Sequence, residues 1–220
     1  MSSAQSFYGR WAALYDRIAL YTPGVARLRE RAAAALRLSP GDTVVDMGCG
    51  TGANLPYLRD RVGPEGTVVG VDFTGPILDR ARRLVERRGW ENVHVVRGDA
   101  TRPPVDGADA VLSTFVVGMF ADPAGTVDGW CDIVGPGGRV VLLDAARSDR
   151  RYAPPVNAAL RAVTVLSTPP TRKIRYDDPP DERLTGRVTA TRDALRERSD
   201  AVAREEHWLG IIRLTGGRVI

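Results

Sequence analysis

Thr43-Val44-Val45-Asp46-Met47-Gly48-Cys49-Gly50-Thr51-Gly52 runs from a β-branched apolar stretch through one acid into three glycines within five positions. The apolar stretch reads as a buried parallel strand. Its carboxyl end opens onto a loop where backbone N–H groups, unobstructed by side chains, can approach a ligand at the start of the following helix.

Outward from this stretch the pattern repeats. Short β-branched runs at 67–71, 93–97, 108–114 and 139–144 read as further strands, and 52–62, 76–88 and 123–133 as helices between them. Pro76 and Pro123 suit first-turn positions and Asp122 an N-cap, while Gly63-Pro64-Glu65-Gly66 and Gly135-Pro136-Gly137-Gly138 turn the chain into the next strand. Strict alternation through five strands predicts an α/β fold with a doubly wound, mainly parallel sheet.

Both ends depart from the alternation. In residues 1–40, Val25, Leu28, Ala32, Ala35 and Leu36 recur at helical spacing while Arg27, Arg29, Arg31 and Arg37 take other faces, which predicts a helical N-terminal cover. At the other end, 206–214 reads as a strand, Thr215-Gly216-Gly217 as a tight turn and 218–220 as a last short strand, an antiparallel hairpin that brings the sheet to seven strands. Residues 145–205 form a long connection between strands five and six, punctuated by Pro154-Pro155, Pro169-Pro170 and Pro179-Pro180; a connection of that length has structure and a role of its own. With no internal repeat, residues 1–220 are read as one domain, with 1–40 as cover and 145–205 as insert or lid.

Composition narrows the classes. At 220 residues, 43% hydrophobic and 26% charged, the chain reads as a globular protein, and no apolar run reaches the length of a membrane span. The start lacks a basic segment followed by an apolar one, so the cytoplasm is the expected compartment. Cys49 and Cys131 are too few for a disulfide framework, and no Cys/His cluster suggests a metal. Charge is segregated: residues 1–41 carry +4, residues 42–144 −5 and residues 145–220 +5. Only Lys173 among 31 basic residues is a lysine, which reads as compositional bias, and without basic runs interleaved with aromatics no nucleic-acid partner is expected.

Ligands of doubly wound sheets bind at the carboxyl ends of strands, which here offer Asp46, Asp72, Gly98-Asp99, Ser113-Thr114-Phe115 and Asp144. Asp72, twenty residues beyond Gly52, is placed to accept both hydroxyls of a ribose, and Asp99 to accept from an exocyclic amine; together they describe an adenosine site.

These residues resemble the class I S-adenosylmethionine-dependent methyltransferases. Asp46 to Gly52 is similar to that family's first motif, Val71-Asp72 to the acidic end of its second strand, Gly98-Asp99-Ala100 to its adenine-side motif and Pro136-Gly137-Gly138 to its turn before strand five. Phe7-Tyr8 and Tyr15-Asp16-Arg17 resemble the N-terminal segment of its ubiquinone/menaquinone and phosphatidylethanolamine N-methyltransferase branch. The resemblance implies a Rossmann-like sheet and S-adenosylmethionine as cofactor, with Gly48 and Gly50 beside its methionine part, Asp72 on its ribose, Asp99 and Ala100 around its adenine and Phe115 near its methyl. It further implies cofactor contacts from Asp46, Thr51, Phe73, Gly98 and Thr114, and from Tyr8 and Tyr15 as a tyrosine lid, with Tyr15 a candidate at the reacting centre. An acidic centre also suits a ligand that carries a sulfonium and an ammonium.

Other readings stand beside it. Gly48-x-Gly50-x-x-Ala53 with Asp72 also satisfies the dinucleotide fingerprint of an NAD(P)-dependent oxidoreductase, although Asp46 would sit badly by a pyrophosphate and no Tyr-x-x-x-Lys pair is present. A regulatory module that binds S-adenosylmethionine without catalysis is a third reading. Asp144, at the end of strand five, is a candidate general base; His94, His207 and Cys49 read as packed or hydrogen-bonded structural residues. Asp177-Asp178-Pro179-Pro180 lies too far from strand four to be an amino-methyltransferase motif and reads as a loop. Residues 154–168, with only Arg161 charged, read as an apolar helix that either packs on the sheet or a homodimer partner, or helps form a pocket for a hydrophobic small-molecule acceptor such as a lipid or quinone, with peripheral contact to a membrane.

Overall fold

A computed structural model describes residues 24–167 and 179–220. Tyr8, Tyr15, Lys173, Pro169-Pro170 and Asp177-Asp178 therefore lie outside the described residues.

Seven strands form one sheet in the order β3-β2-β1-β4-β5-β7-β6: β1 Thr43–Met47, β2 Thr67–Asp72, β3 Val93–Arg97, β4 Ala110–Thr114, β5 Arg139–Ala145, β6 Ser199–His207 and β7 Ile212–Val219. The first five pair in parallel, and β7 runs antiparallel to both β5 and β6. Helices α1 Val25–Ala35, α2 Leu55–Val62, α3 Gly75–Arg88, α4 Pro123–Val134, α5 Pro154–Ser167 and α6 Pro180–Glu197 connect or cover the strands. Side chains alternate across each strand. One core holds Val44, Leu112, Leu143 and Leu214 beneath Leu28 and Ala32 of α1 and Leu55 and Leu58 of α2. The opposite face buries Met47, Val111 and Leu142 against Val127 and Trp130 of α4 and Val188 and Leu195 of α6. Burial on both faces is why these strands read as continuous apolar runs rather than alternating ones.

The punctuation behaves as its chemistry requires. Asp122 caps α4 by accepting the N–H of Gly125 at 2.9 Å, and Pro123 opens that helix. Gly63 and Gly135 follow α2 and α4 with φ of 68° and 63°, left-handed angles that suit glycine.

Several expectations are corrected. The fourth strand starts at Ala110 rather than 108, because Asp109 is used as a tie: its Oδ2 accepts the N–H of Thr43 at 2.7 Å. Helix α2 starts at Leu55 rather than 52, since Gly52 is left-handed and residues 51–54 turn before the helix begins. The hairpin turns at Trp208–Gly210, with three successive positive φ values, and not at 215–217. Gly216 and Gly217 instead lie inside β7, where a Cβ at Gly217 would fall 2.5 Å from Ser199 Cβ; the pair permits close strand approach, not a turn. Finally, Arg29 is buried on the core side of α1 with Leu28 and Ala32, not on its solvent face.

The long connection before β6 contains α5 and α6 and ends at Arg198 rather than at 205, because β6 already begins at Ser199, paired with Val219 of β7. Helix α6 packs with α4 and β5, while α5 leaves Val163 and Val165 of its outer face 40% and 50% exposed. His94 is exposed on the edge strand β3 rather than packed.

Candidate active site

The glycine loop is tied down at the carboxyl end of the sheet. The N–H groups of Gly48 and Cys49 both donate to the Val71 carbonyl, at 2.8 and 3.0 Å, and Gly50 N–H donates to Asp72 Oδ2 at 3.2 Å. Gly48, at φ 72°, touches the next strand's loop so closely that a Cβ there would meet Val116 Cγ2 at 2.5 Å. Cys49 is buried beneath the loop; desolvation, then the charges of Asp46 and Asp72, hold its thiol far above its ordinary range, which leaves it a small packed side chain.

Asp72 ends β2 half-buried, each oxygen holding one backbone N–H, from Thr74 at 2.8 Å and from Gly50. A carboxylate has about four acceptor directions, so both oxygens can still accept hydroxyls. Beside it, Phe73, Arg97, Gly98 and Asp99 line an open cleft of ≈ 320 Å³. Asp99 is exposed and uses Oδ1 for the N–H and hydroxyl of Thr101, both at 2.9 Å, and the Ala100 carbonyl is fixed by the buried indole of Trp130 at 2.7 Å. Gly48, Gly50, Asp72, Phe73, Gly98, Asp99 and Ala100 are thus brought to one rim, with Thr51 half-buried in the same loop.

Beneath the rim lies a buried polar cluster. Asp46 is fully buried, and its Oδ1 accepts from Asn54 Nδ2 at 2.9 Å. Asn54 also donates to Thr114 Oγ1 at 3.0 Å, and Arg29 donates through Nη1 to Asn54 Oδ1 at 2.8 Å and to Thr114 Oγ1 at 2.9 Å. The Arg29 guanidinium lies over the Phe115 ring, 5.7 Å from its centroid. Asp46 Oδ2 is buried with no hydrogen-bond partner. Burial pushes the Asp46 carboxyl up to about 6, held back by the Asn54 hydrogen bond and the charge of Arg29, while Asp72 pushes it further upward. Sequence reasoning missed Arg29 and Asn54; the available signal was that Arg29 falls four residues after Val25 and one after Leu28, within the apolar stripe.

Asp144 belongs to the other face of the sheet. It is 3% exposed, and burial pushes it up to about 7 against the opposing pull of hydrogen bonds from the backbone N–H groups of Val116 and Val117. Those donors belong to the turn that follows Phe115, whose φ of 61° is strained for a residue with a bulky side chain. His207 Nε2 lies 3.0 Å from Glu205, which also accepts from Arg31 Nε at 2.8 Å, so the histidine is part of a tie between hairpin and cover helix.

These residues fit a cationic nucleoside. A carboxylate with open acceptor directions and a glycine loop share one rim, with an unpartnered buried carboxylate oxygen beneath it, and these are suited respectively to a ribose, a close backbone approach and an ammonium. No group of three or more His, Cys, Asp or Glu able to hold a metal ion occurs among the described residues.

Residues 44–138 match the family described as "Methyltransferase domain". The phosphatidylethanolamine N-methyltransferase of Cereibacter sphaeroides is 32% identical over 157 residues, which cover 70% of this chain and 73% of that protein. The demethylmenaquinone methyltransferase of Thermus thermophilus is 40% identical over 121 residues, 54% of each. For three further methyltransferase relatives the chain spans 29%, 58% and 48% of their own length. Among solved structures, a methyltransferase complexed with the Haloferax volcanii Trm112 activator shares the fold, with a TM-score of 0.70 at 21% identity over 99% of this chain and 97% of that one. The antiparallel β7 between β5 and β6 also departs from the 3-2-1-4-5-6 strand order of dinucleotide-binding sheets, which sets aside the oxidoreductase reading. The match to the methyltransferase family model and the 32% identity to the Cereibacter sphaeroides protein over 73% of its length, in agreement with the glycine loop, the acid at the end of β2 and the strand order, place this chain among the class I S-adenosylmethionine-dependent methyltransferases.

Proposed function

We propose that this chain transfers the methyl group of S-adenosylmethionine to a small hydrophobic acceptor, of the lipid or quinone kind, delivered from the side of α5 and the hairpin turn. The observation that carries this reading is an exposed apolar surface: Val163 and Val165 on α5, Tyr152 before it, and Trp208 and Leu209 at the hairpin turn are each at least 40% exposed. Loop and turn are joined, since Ser148 Oγ donates to the Leu209 carbonyl. Helix α5 carries no acid and a single Arg. Two relatives named for phosphatidylethanolamine and demethylmenaquinone lend the same reading support.

The residues assigned to the cofactor are Asp72 for the ribose, Phe73, Gly98, Asp99 and Ala100 for the adenine side, Gly48, Gly50, Thr51 and Asp46 for the amino-acid arm, and Thr114 and Phe115 for the reacting end. When bound, the cofactor supplies an electrophilic methyl on a sulfonium, so the chain's task is to align an incoming nucleophile and exclude water. Asp144 serves this by holding the turn at residues 115–117 through their backbone N–H groups, a positioning role, because its carboxylate is engaged and removed from solvent. No helix among the described residues is long and apolar enough to cross a membrane, so contact with lipid takes place at a surface.

The test pairs binding with turnover. Calorimetric titration with S-adenosylhomocysteine should show binding that Asp72→Ala weakens by about 1.5–3 kcal/mol for each charge-assisted hydrogen bond lost. Radiolabelled methyl should pass to lipid or quinone extracts in preference to polar metabolites; transfer to polar acceptors alone would overturn the acceptor class, and binding without any turnover would support a regulatory module.

A further inference from the structure

We propose that Arg29 is a positioning residue for the cofactor's amino-acid arm: through Asn54 and Thr114 it orients the buried Asp46 carboxylate so that the second Asp46 oxygen meets the cofactor's ammonium. This rests on the methyltransferase reading above and assigns a role to a helix that the family motifs do not include.

Three observations carry it. Asn54 is fixed from both sides, accepting from Arg29 at 2.8 Å and donating to Asp46 Oδ1 at 2.9 Å, so its amide cannot flip without losing both bonds. Thr114 Oγ1 accepts from Arg29 and from Asn54 at 2.9 and 3.0 Å, which anchors the relay to the end of β4. Asp46 Oδ2 remains without a partner at full burial, an arrangement that costs free energy in a resting protein and is relieved by a bound cation. Arg29 comes from α1, whereas the other three members come from β1, the turn before α2 and the end of β4. Cofactor affinity is thereby made to depend on the docking of the N-terminal cover.

The charged and titratable groups facing Asp46 are Arg29 from α1, which favours its ionised form, and Asp72 from β2, which opposes it; Cys49 in the loop feels both carboxylates. Asn54 and Thr114 are neutral. A carboxyl near 6 takes up a proton as pH falls through that value and ceases to attract an ammonium, so affinity for an amine-bearing ligand should fall below about pH 6. Without Arg29 the fall should set in at higher pH.

The experiment compares three probes by titration calorimetry on the full chain: S-adenosylhomocysteine, decarboxylated S-adenosylmethionine, which keeps the amine and lacks the carboxylate, and 5′-methylthioadenosine, which lacks the whole arm. Arg29→Met and Asn54→Ala should each weaken the two amine-bearing probes by roughly tenfold or more while leaving methylthioadenosine within about twofold. Arg29→Lys should recover part of the loss, and the pH midpoint for S-adenosylhomocysteine should move upward in Arg29→Met. Equal weakening of all three probes would show a merely structural arginine and overturn the proposal. So would weakening confined to the probe that carries the carboxylate, which would mean that Arg29 grips that group directly. Wild-type protein that binds none of the three would overturn the methyltransferase reading beneath it.

Discussion

Two carboxylates lie out of water at the same end of the sheet, Asp46 in the half built from β1–β4 and Asp144 in the half built from β5–β7, and they face opposite sides of it. Burial raises both, to about 6 and about 7, yet their surroundings differ in kind. Asp46 meets side chains and keeps one oxygen unpartnered; Asp144 meets the backbone N–H groups of a strained turn. The first arrangement leaves one acceptor oxygen unengaged, and the second engages its carboxylate with the chain's own backbone. A raised pKa alone therefore does not mark a reacting group; what the oxygens touch decides it.

The largest effect should come from the glycine half. Gly48→Ala places a Cβ 2.5 Å from Val116 Cγ2 at a left-handed φ, and should abolish measurable binding of S-adenosylhomocysteine and lower stability by about 1–3 kcal/mol, read by denaturant unfolding. Binding as tight as wild type would dissolve the contrast between an open site and a shaped turn.

An intermediate effect should sharpen the other side of the contrast. Asp144 has its folded value raised above its ordinary one, so the folded state holds the proton more firmly, and stability due to this group falls as pH rises from about 4 through about 7. Asp144→Asn removes that dependence. The variant should gain stability relative to wild type by on the order of 2–4 kcal/mol between acid and pH 8, seen as a pH-dependent difference in Tm. A Tm difference that stays constant with pH would show that Asp144 does not titrate in the folded protein.

The smallest effect belongs to the seam between cover helix and hairpin. Glu205→Gln breaks an ion pair with Arg31 whose partners are 57% and 35% exposed, and should cost no more than about 1 kcal/mol in unfolding, with methyl transfer unchanged. A larger loss would mean that cover and hairpin act as one unit with the cofactor half.

Legibility was uneven between the halves for the same reason that their carboxylates differ. The five parallel strands were plain within two residues at each end because β1, β4 and β5 are buried on both faces, β2 and β3 are β-branched runs, and all are punctuated by Gly, Pro or Asp, and the rim residues Asp72, Gly98 and Asp99 followed from where such strands end. The hairpin was misplaced because Gly216-Gly217 serves close strand packing while Trp208 and Leu209, residues that ordinarily avoid left-handed angles, make the turn. Arg29 was assigned to solvent because charge usually decides exposure; only contact with Asn54, Thr114 and the Phe115 ring makes its burial tolerable.

What local order along the chain determined, then, was the alternating sheet, its glycine loop and the acids at its strand ends, since periodicity and turn chemistry are properties of neighbouring residues. What only tertiary structure decided was which buried charges meet. Arg29, Asn54 and Thr114 are separated by 25 and 60 positions in the chain, and their hydrogen bonds exist because the sheet brings a helix, a turn and a strand end to one point.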